Sequence, residues 1–370
     1  MSTAHRVLFS RLDLKPPPSL RRFLSLGQVR EVIRRGQIAT LSLRLPTPCN
    51  LRCVYCYSSP ASFLETRNGG RALSFSELSD VLHQAARLGM RTLSVVGDGE
   101  PLLYRDPDGD FLALVDTANR LGASVIVFSN ALTLTREQAL ALNRRDVAFV
   151  AKQNSLDPEI QDYLAGRSGS SKRLARGIQS LIDAGFNACH PSRLAIHTVI
   201  CRQNYQELPQ MWRAWRRRNI VPYVQVWVPP RDAAARQRFL SEFFVEPAAV
   251  RDLFHRLERI DEEEFGYAWD PDATYPIAAL GCTAALTGCG ITPTGDVQIC
   301  AYTEEVLGSV RERSLQDIMN SAAAQQIRSH FSGGTFDGFQ RRCHALTVNL
   351  KGDRYAEDPF FWEAPCRQAK

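Results

Sequence analysis

The sequence predicts an α/β fold built on a parallel sheet, and three observations carry that prediction. Short apolar runs alternate with longer amphipathic segments, six times between residues 41 and 230. A crowded cysteine loop directly follows the first apolar run. Composition shifts towards Gly, Cys and Thr from Pro276 onward, which marks a second, smaller unit. Repeated strand–helix units favour parallel strands joined by right-handed crossovers.

The elements follow in order. Residues 1–40 are Arg-rich, contain Pro16-Pro17-Pro18, and read as an N-terminal extension with one short helix over Leu20 to Arg35. Strands are expected at Leu41–Leu45, Thr92–Val96, Ser124–Phe128, Val147–Ala151, Leu194–Ile200 and Pro222–Val228. From Ser76, residues Leu78, Val81, Leu82, Ala85 and Leu88 recur at helical spacing on one face. Ser74 and Glu77 before them have capping-box spacing. Further helices are expected over Phe111–Leu121, Thr135–Asn143, Lys172–Ala184 and Tyr205–Arg218. Residues 231–275 form a charged helical connector, with helices over Arg231 to Arg238 and Val245 to Glu264, and residues 276–370 form the small second domain.

Composition sets broad limits. Hydrophobic content of 44% and charged content of 23% are those of an ordinary soluble protein. No apolar stretch approaches the roughly 18 residues of a membrane span, and no secretory h-region follows the N-terminal arginines. Ten cysteines in such a chain point to metal ligation in a reducing compartment, the cytoplasm, rather than to disulfides. Net charge is +6, compatible with an anionic substrate without requiring one. The run Arg213-Ala214-Trp215-Arg216-Arg217-Arg218 reads as the solvated C-terminal end of a helix rather than a nucleic-acid site, so no nucleic-acid partner is expected.

The most informative segment is Pro48-Cys49-Asn50-Leu51-Arg52-Cys53-Val54-Tyr55-Cys56-Tyr57. Its C-x3-C-x2-C spacing offers three thiolates to three corners of a [4Fe–4S] cluster and leaves one iron open. A zinc site usually pairs two C-x2-C-like elements, and here the next cysteine group is far downstream. The segment resembles the fingerprint of the radical S-adenosylmethionine (SAM) superfamily. That resemblance implies a partial (β/α)6 barrel over residues 41–230, with active groups at the C-terminal strand ends. It further implies SAM chelated at the open iron and cleaved by one electron to a 5′-deoxyadenosyl radical, with flavodoxin or ferredoxin as the electron donor. Tyr55 would then lie against the adenine.

The same resemblance extends to Gly97-Asp98-Gly99-Glu100-Pro101, which is similar to the Gly-Gly-Glu-Pro element that pairs with the SAM amino group, with Asp98 replacing the second glycine. Ser129 and Asn130 after the third strand, and Lys152 and Asn154 after the fourth, are implied to reach the methionine, ribose or carboxylate of SAM.

A second cysteine group comprises Cys282, Cys289, Cys300, Cys343 and Cys366. The pattern Cys282-x12-Gly295-x4-Cys300 resembles SPASM and twitch extensions, which hold auxiliary iron–sulfur clusters. Ile291 to Cys300 reads as a β-hairpin turning at Gly295. A full SPASM domain has further cysteines, but Gln340 stands where one would begin. One auxiliary [4Fe–4S] cluster on Cys282, Cys289, Cys300 and Cys343 is therefore expected, with Cys366 an alternative ligand and four-thiolate zinc an alternative occupant. Cys189 and Cys201 read as buried thiols. Cys366 and Cys201 are also candidate hydrogen-atom donors, should the reaction be an epimerisation.

The expected function is radical SAM oxidation or epimerisation of a small, sugar-like or nucleotide-like natural-product intermediate. The alternative is a maturase that modifies a ribosomally made peptide. A non-catalytic iron–sulfur or zinc protein is the third class, and reductive SAM cleavage separates it from the other two.

Overall fold

The structure is a computed structural model that describes residues 26–56, 70–228, 233–269, 284–300 and 305–332. A first helix, α1 (Leu26–Arg34), leads into strand β1 (Thr40–Arg44). Then come α2 (Phe75–Arg87), β2 (Thr92–Val96), α3 (Phe111–Arg120), β3 (Ser124–Ser129), α4 (Arg136–Asn143) and β4 (Val147–Lys152). Two helices, α5 (Pro158–Ala165) and α6 (Ser170–Asp183), precede β5 (Leu194–Ile200). Helix α7 (Leu208–Arg216) and strand β6 (Val221–Val226) complete the repeat. All six expected strands form.

Strands β1 to β6 are parallel and lie in the sheet in chain order. A monotonic order with crossovers of one hand puts every helix on one face, and the other face curls inward. The result is the expected partial barrel, with β1 and β6 unpaired to each other among the described residues.

Alternation along the strands separates two layers. Val125 and Val127 of β3, Val147 and Phe149 of β4, and Leu194 and Ile196 of β5 join the large core under the helices. The intervening Ile126, Ala148, Val150, Ala195 and Val221 form a separate inner cluster with Phe128 and Tyr223. Helix α2 shows how the outer layer is specified. Leu78, Val81, Leu82 and Ala85 are buried, and Ser74 and Glu77 close the expected capping box. Such a cap contributes about 1 kcal/mol.

The C-terminal segment extends the same sheet. Strand β7 (Gly288–Ile291) pairs in parallel with the outer edge of β1, aligning Leu41 with Cys289. It continues through an antiparallel turn at Gly295 into β8 (Asp296–Gln298) and β9 (Val306–Ser309), the hairpin expected from the sequence. Helices α8 (Ala233–Arg238) and α9 (Pro247–Phe265) occupy the charged connector, α10 (Ala284–Thr287) precedes β7, and α11 (Leu315–Met319) and α12 (Ala322–Ser332) follow β9. Among the described residues no helix is long and apolar enough to cross a membrane.

The arginine run departs from its expected solvated role. Arg216 of α7 is buried and makes a two-pronged ion pair with the fully buried Asp261 of α9, at 2.9 and 2.6 Å. The indole N–H groups of Trp212 and Trp269 donate to the same carboxylate at 2.7 and 2.8 Å. Arg213 pairs with Glu264 on the surface. The connector is thus fastened to the barrel through a buried charge.

Candidate active site

The cysteine loop leaves the C-terminal end of β1 and is held from two sides. On one side, the end of α5 receives it: Arg52 N–H and Val54 N–H donate to the carbonyls of Ala165 and Leu164. Gly166 caps that helix at φ +62°, and a Cβ there would sit 2.0 Å from the Arg52 carbonyl oxygen. Only glycine lets the two segments meet. Arg167 adds a 2.7 Å bond to the Asn50 carbonyl.

On the other side stands the loop after β2. Glu100 N–H donates to the Pro48 carbonyl, and a Cβ on Gly99 would fall 1.9 Å from the Thr47 oxygen. The Glu100 side chain is buried and accepts from Ser129 Oγ at 2.6 Å, Asn130 N at 2.8 Å and Leu102 N at 3.1 Å. Burial pushes its carboxyl pKa up while these donors pull the other way. Asn130 Nδ2 also donates to Asn50 Oδ1 at 2.6 Å. One buried carboxylate therefore ties the loops after β2 and β3 together, and Asn130 ties them to the cysteine loop.

These loops line a cleft of about 160 Å³ at the C-terminal mouth of the partial barrel. Cys49, Cys53 and Cys56 all line it, with Tyr55, Gly97, Gly99, Glu100, Ser129, Asn130 and Lys152. Most of the residues singled out in the sequence are thus brought together. The donor set fits an iron–sulfur cluster. Burial pushes the Cys49 thiol up to about 11 and raises Cys53 as well, so these thiols wait for iron to deprotonate them. Thiols bound to separate irons need not converge on one point. Among the described residues no tight single-ion group of His, Cys, Asp or Glu is present.

Of the other residues that line the cleft, Lys152 was foreseen, and His197, Gln225 and Trp227 were not. Lys152 ends β4, and strand register sets it directly across from His197 of β5. Lys152 Nζ lies 3.1 Å from His197 Nδ1, and His197 Nε2 lies 2.9 Å from Gln225 Oε1 of β6. An ammonium only donates, so Nδ1 accepts, Nε2 carries the proton, and Gln225 presents its oxygen to it. Lys152 Nζ also sits 4.8 Å from the centre of the Tyr55 ring. Burial lowers the Lys152 pKa to about 7 and drives that of His197 well down. Trp227, two residues after Gln225, lines the same cleft, packs edge-on to Tyr55, and has a buried Nε1–H with no acceptor. The available signal in the sequence was polarity out of place: His197 and Gln225 interrupt apolar strands at inward positions.

Other expected residues lie elsewhere. Asp98 is buried and faces away from the cleft lining, in an ion pair with Arg44 of β1 at 3.2 Å. Arg44 also donates to Gln298 of β8 at 2.7 Å, so Asp98 joins the loop after β2 to the C-terminal hairpin. Pro101 opens a buried 3-10 turn. Asn154 is fully buried, and its Oδ1 accepts from Val199 N–H at 3.0 Å, bracing β5. Cys201 is buried in an apolar cluster with Tyr55, Trp227 and Phe243, outside the cleft lining. Cys282, Cys343 and Cys366 lie outside the described residues.

The two described cysteines of the second group sit on the hairpin side of the sheet. Cys289 is buried in β7, and Cys300 is half-buried two residues past β8. Burial pushes the Cys289 thiol up to about 12. Arg328 of α12 has Nε and Nη2 buried without a hydrogen-bond partner.

Comparison with known proteins agrees with this geometry. The family model described as the radical SAM superfamily matches residues 45–213, and that of an iron–sulfur cluster-binding domain, SPASM, matches residues 282–345. A probable GTP 3′,8-cyclase of Methanosarcina mazei is 29% identical over 60% of this chain and 66% of its own length. An AdoMet-dependent heme synthase of Nitratidesulfovibrio vulgaris is 23% identical over 86% of this chain and 90% of its own. A PqqA peptide cyclase of Streptomyces rochei is 36% identical over 48% and 44%. Among solved structures, Streptococcus suis SuiB bound to precursor peptide SuiA superposes with a TM-score of 0.63, at 16% identity, over 90% of this chain and 77% of that one. The chain carries a radical SAM domain over residues 45–213 and a SPASM iron–sulfur cluster-binding domain over residues 282–345. Its cofactors are a [4Fe–4S] cluster, an auxiliary cluster and SAM.

Proposed function

We propose that this protein removes a hydrogen atom from a small, polar, sugar-like or nucleotide-like intermediate and oxidises it. The observation that carries the reading is a single cleft lined both by Cys49, Cys53 and Cys56 and by the Lys152–His197–Gln225 chain. When bound, the cluster with SAM supplies the 5′-deoxyadenosyl radical, and the auxiliary cluster supplies an acceptor for the second electron. Glu100 holds the two SAM-side loops in place. Phe128, Val150 and Val199 keep the inner wall dry. Lys152, Gln225 and Trp227 offer hydrogen-bond donors to a substrate rich in acceptors. Cys201, packed behind that wall, favours oxidation over thiol quenching.

The likeness to a relative that by its name cyclises GTP supports this substrate class, and the likeness to a heme synthase supports a small-molecule substrate more broadly. A second reading, modification of a ribosomally made peptide, draws on the likeness to PqqA peptide cyclases over about half the chain.

The test is anaerobic reconstitution with iron and sulfide counting, paired with a Cys49/Cys53/Cys56 triple alanine variant. The reading expects about eight irons falling to about four. About four falling to none would remove the auxiliary electron acceptor and with it the oxidation. Stimulation of 5′-deoxyadenosine formation by peptides, and by no sugar or nucleotide, would transfer the assignment to the second reading.

A further inference from the structure

Lys152 of β4, His197 of β5 and Gln225 of β6 stand on adjacent strands and all line the cleft. The hydrogen-bond chain through them runs one way. Lys152 Nζ donates to His197 Nδ1 at 3.1 Å, so Nε2 keeps its proton and gives it to Gln225 Oε1 at 2.9 Å. His197 is buried, and Phe128 and Tyr223 pack edge-on against its ring at 5.8 and 5.0 Å. Its two nitrogens are both engaged, and that decides what its neighbours have left. Gln225 has its oxygen turned to His197, and its Nε2 group has no acceptor among the described residues. Lys152 has no carboxylate partner among them, and N–H bonds remain beyond the one given to His197. Trp227 is 5% exposed, and its Nε1–H has no acceptor.

The side-chain acceptors of the same cleft are engaged within the protein. Glu100 takes Ser129 Oγ, Asn130 N and Leu102 N. Ser129 Oγ takes Ala131 N, and Asn130 Oδ1 takes Leu132 N at 3.0 Å. The cleft is thus rich in open donors and poor in open side-chain acceptors. A neutral hydroxyl both donates and accepts, so this wall serves only half of it. A carboxylate or phosphate only accepts, and hydrogen bonds to a charged acceptor are roughly twice as strong as neutral ones. We propose that this wall is an oxyanion subsite set by His197, and that the substrate carries a carboxylate or phosphate received by Lys152, Gln225 and Trp227. The assignment deepens the small-molecule function above and rests on it. His197 is a positioning residue: it holds Lys152 and takes up the Gln225 oxygen, which leaves the amide N–H bonds for the ligand.

The experiment uses the full-length holoenzyme, reconstituted anaerobically and saturated with SAM, so that the carboxylate of SAM is already placed. Calorimetry at constant ionic strength follows inorganic phosphate and acetate, with glucose and guanosine as neutral probes. The parent is expected to bind phosphate or acetate saturably, and the preferred anion tells a phosphate substrate from a carboxylate one. Gln225→Glu keeps an oxygen for His197 Nε2–H and removes the amide donors. It should weaken that anion by about tenfold or more, with SAM affinity within twofold of the parent. His197→Phe should weaken the anion as well. His197→Gln can still accept from Lys152 and donate to Gln225, and should restore it, a rescue not expected of a side chain that only packs. If circular dichroism shows that Gln225→Glu does not fold, the two histidine variants decide. Equal anion affinity in the parent and these variants overturns the proposal, as does a missing rescue with the fold intact. Parallel loss of SAM affinity also overturns it, and returns these donors to the carboxylate of SAM. A parent that binds neither anion overturns the subsite, and binding of glucose or guanosine there leaves the small-molecule function standing. Stimulation of 5′-deoxyadenosine formation by peptides alone removes that function itself.

Discussion

Replacing Glu100 with glutamine tests whether one buried carboxylate assembles the SAM-side loops. Its Oε1 accepts from Ser129 Oγ and Leu102 N, and its Oε2 from Asn130 N. Ser129 cannot reverse its role cheaply, because its Oγ already accepts from Ala131 N at 2.9 Å. Glutamine has one acceptor oxygen and one NH2 group. In its better orientation the oxygen keeps Ser129 and Leu102, and the NH2 confronts the Asn130 N–H. A buried donor left unsatisfied costs about 1–3 kcal/mol. If that penalty falls on the loop arrangement SAM requires, affinity drops by roughly 5- to 150-fold. The assay is equilibrium dialysis of SAM against anaerobically reconstituted protein, with iron content measured alongside. A SAM affinity within twofold of the parent would refute the reasoning.

Three further outcomes are expected. Gly99→Ala drives a methyl group into the Thr47 carbonyl, 1.9 Å away, and so separates the cysteine loop from the loop after β2. Iron analysis should show loss of the N-terminal cluster, and full iron content would contradict the close approach. Cys53→Ala should abolish SAM cleavage, read as 5′-deoxyadenosine, while far-ultraviolet circular dichroism stays unchanged. Asp261→Ala strands Arg216 and two indole N–H groups and should cost about 3–5 kcal/mol. Denaturant unfolding followed by tryptophan fluorescence measures it, and a change under about 1 kcal/mol would contradict a buried pair.

The sequence exposed what depends on local pattern. Apolar runs with helical segments between them placed β1 to β6, and the cysteine spacing placed the cluster loop at the end of β1. Helix α5 was missed because it is one short segment, Pro158–Ala165, between a strand and a longer helix. Its start signals, an Asp157 cap followed by proline, read equally as a turn. Asp98 reads as a cofactor contact from its place between Gly97 and Gly99, but its side chain pairs with Arg44 of β1. His197 and Gln225 stand out in the sequence only as polar residues in apolar strands, and strand register is what brings them and Trp227 together. Lys152 was legible as a site residue. Its partner was not, since parallel register cannot be read from either strand alone.

The pairing of Thr40 with Gly288 also bears on how the protein is made. Strand β1 completes its inner edge with β2 early in synthesis, yet its outer edge finds β7 only after most of the chain has emerged. At about 5–20 residues per second, that edge stays open for on the order of ten to fifty seconds on the ribosome. An unpaired strand edge is a template for aggregation. The exposed interval coincides with the stage at which Cys49, Cys53 and Cys56 already exist but the auxiliary cysteines do not. Early iron loading at the first site would stiffen the loop next to this edge. Expression with limited iron should therefore raise the insoluble fraction more than it slows synthesis.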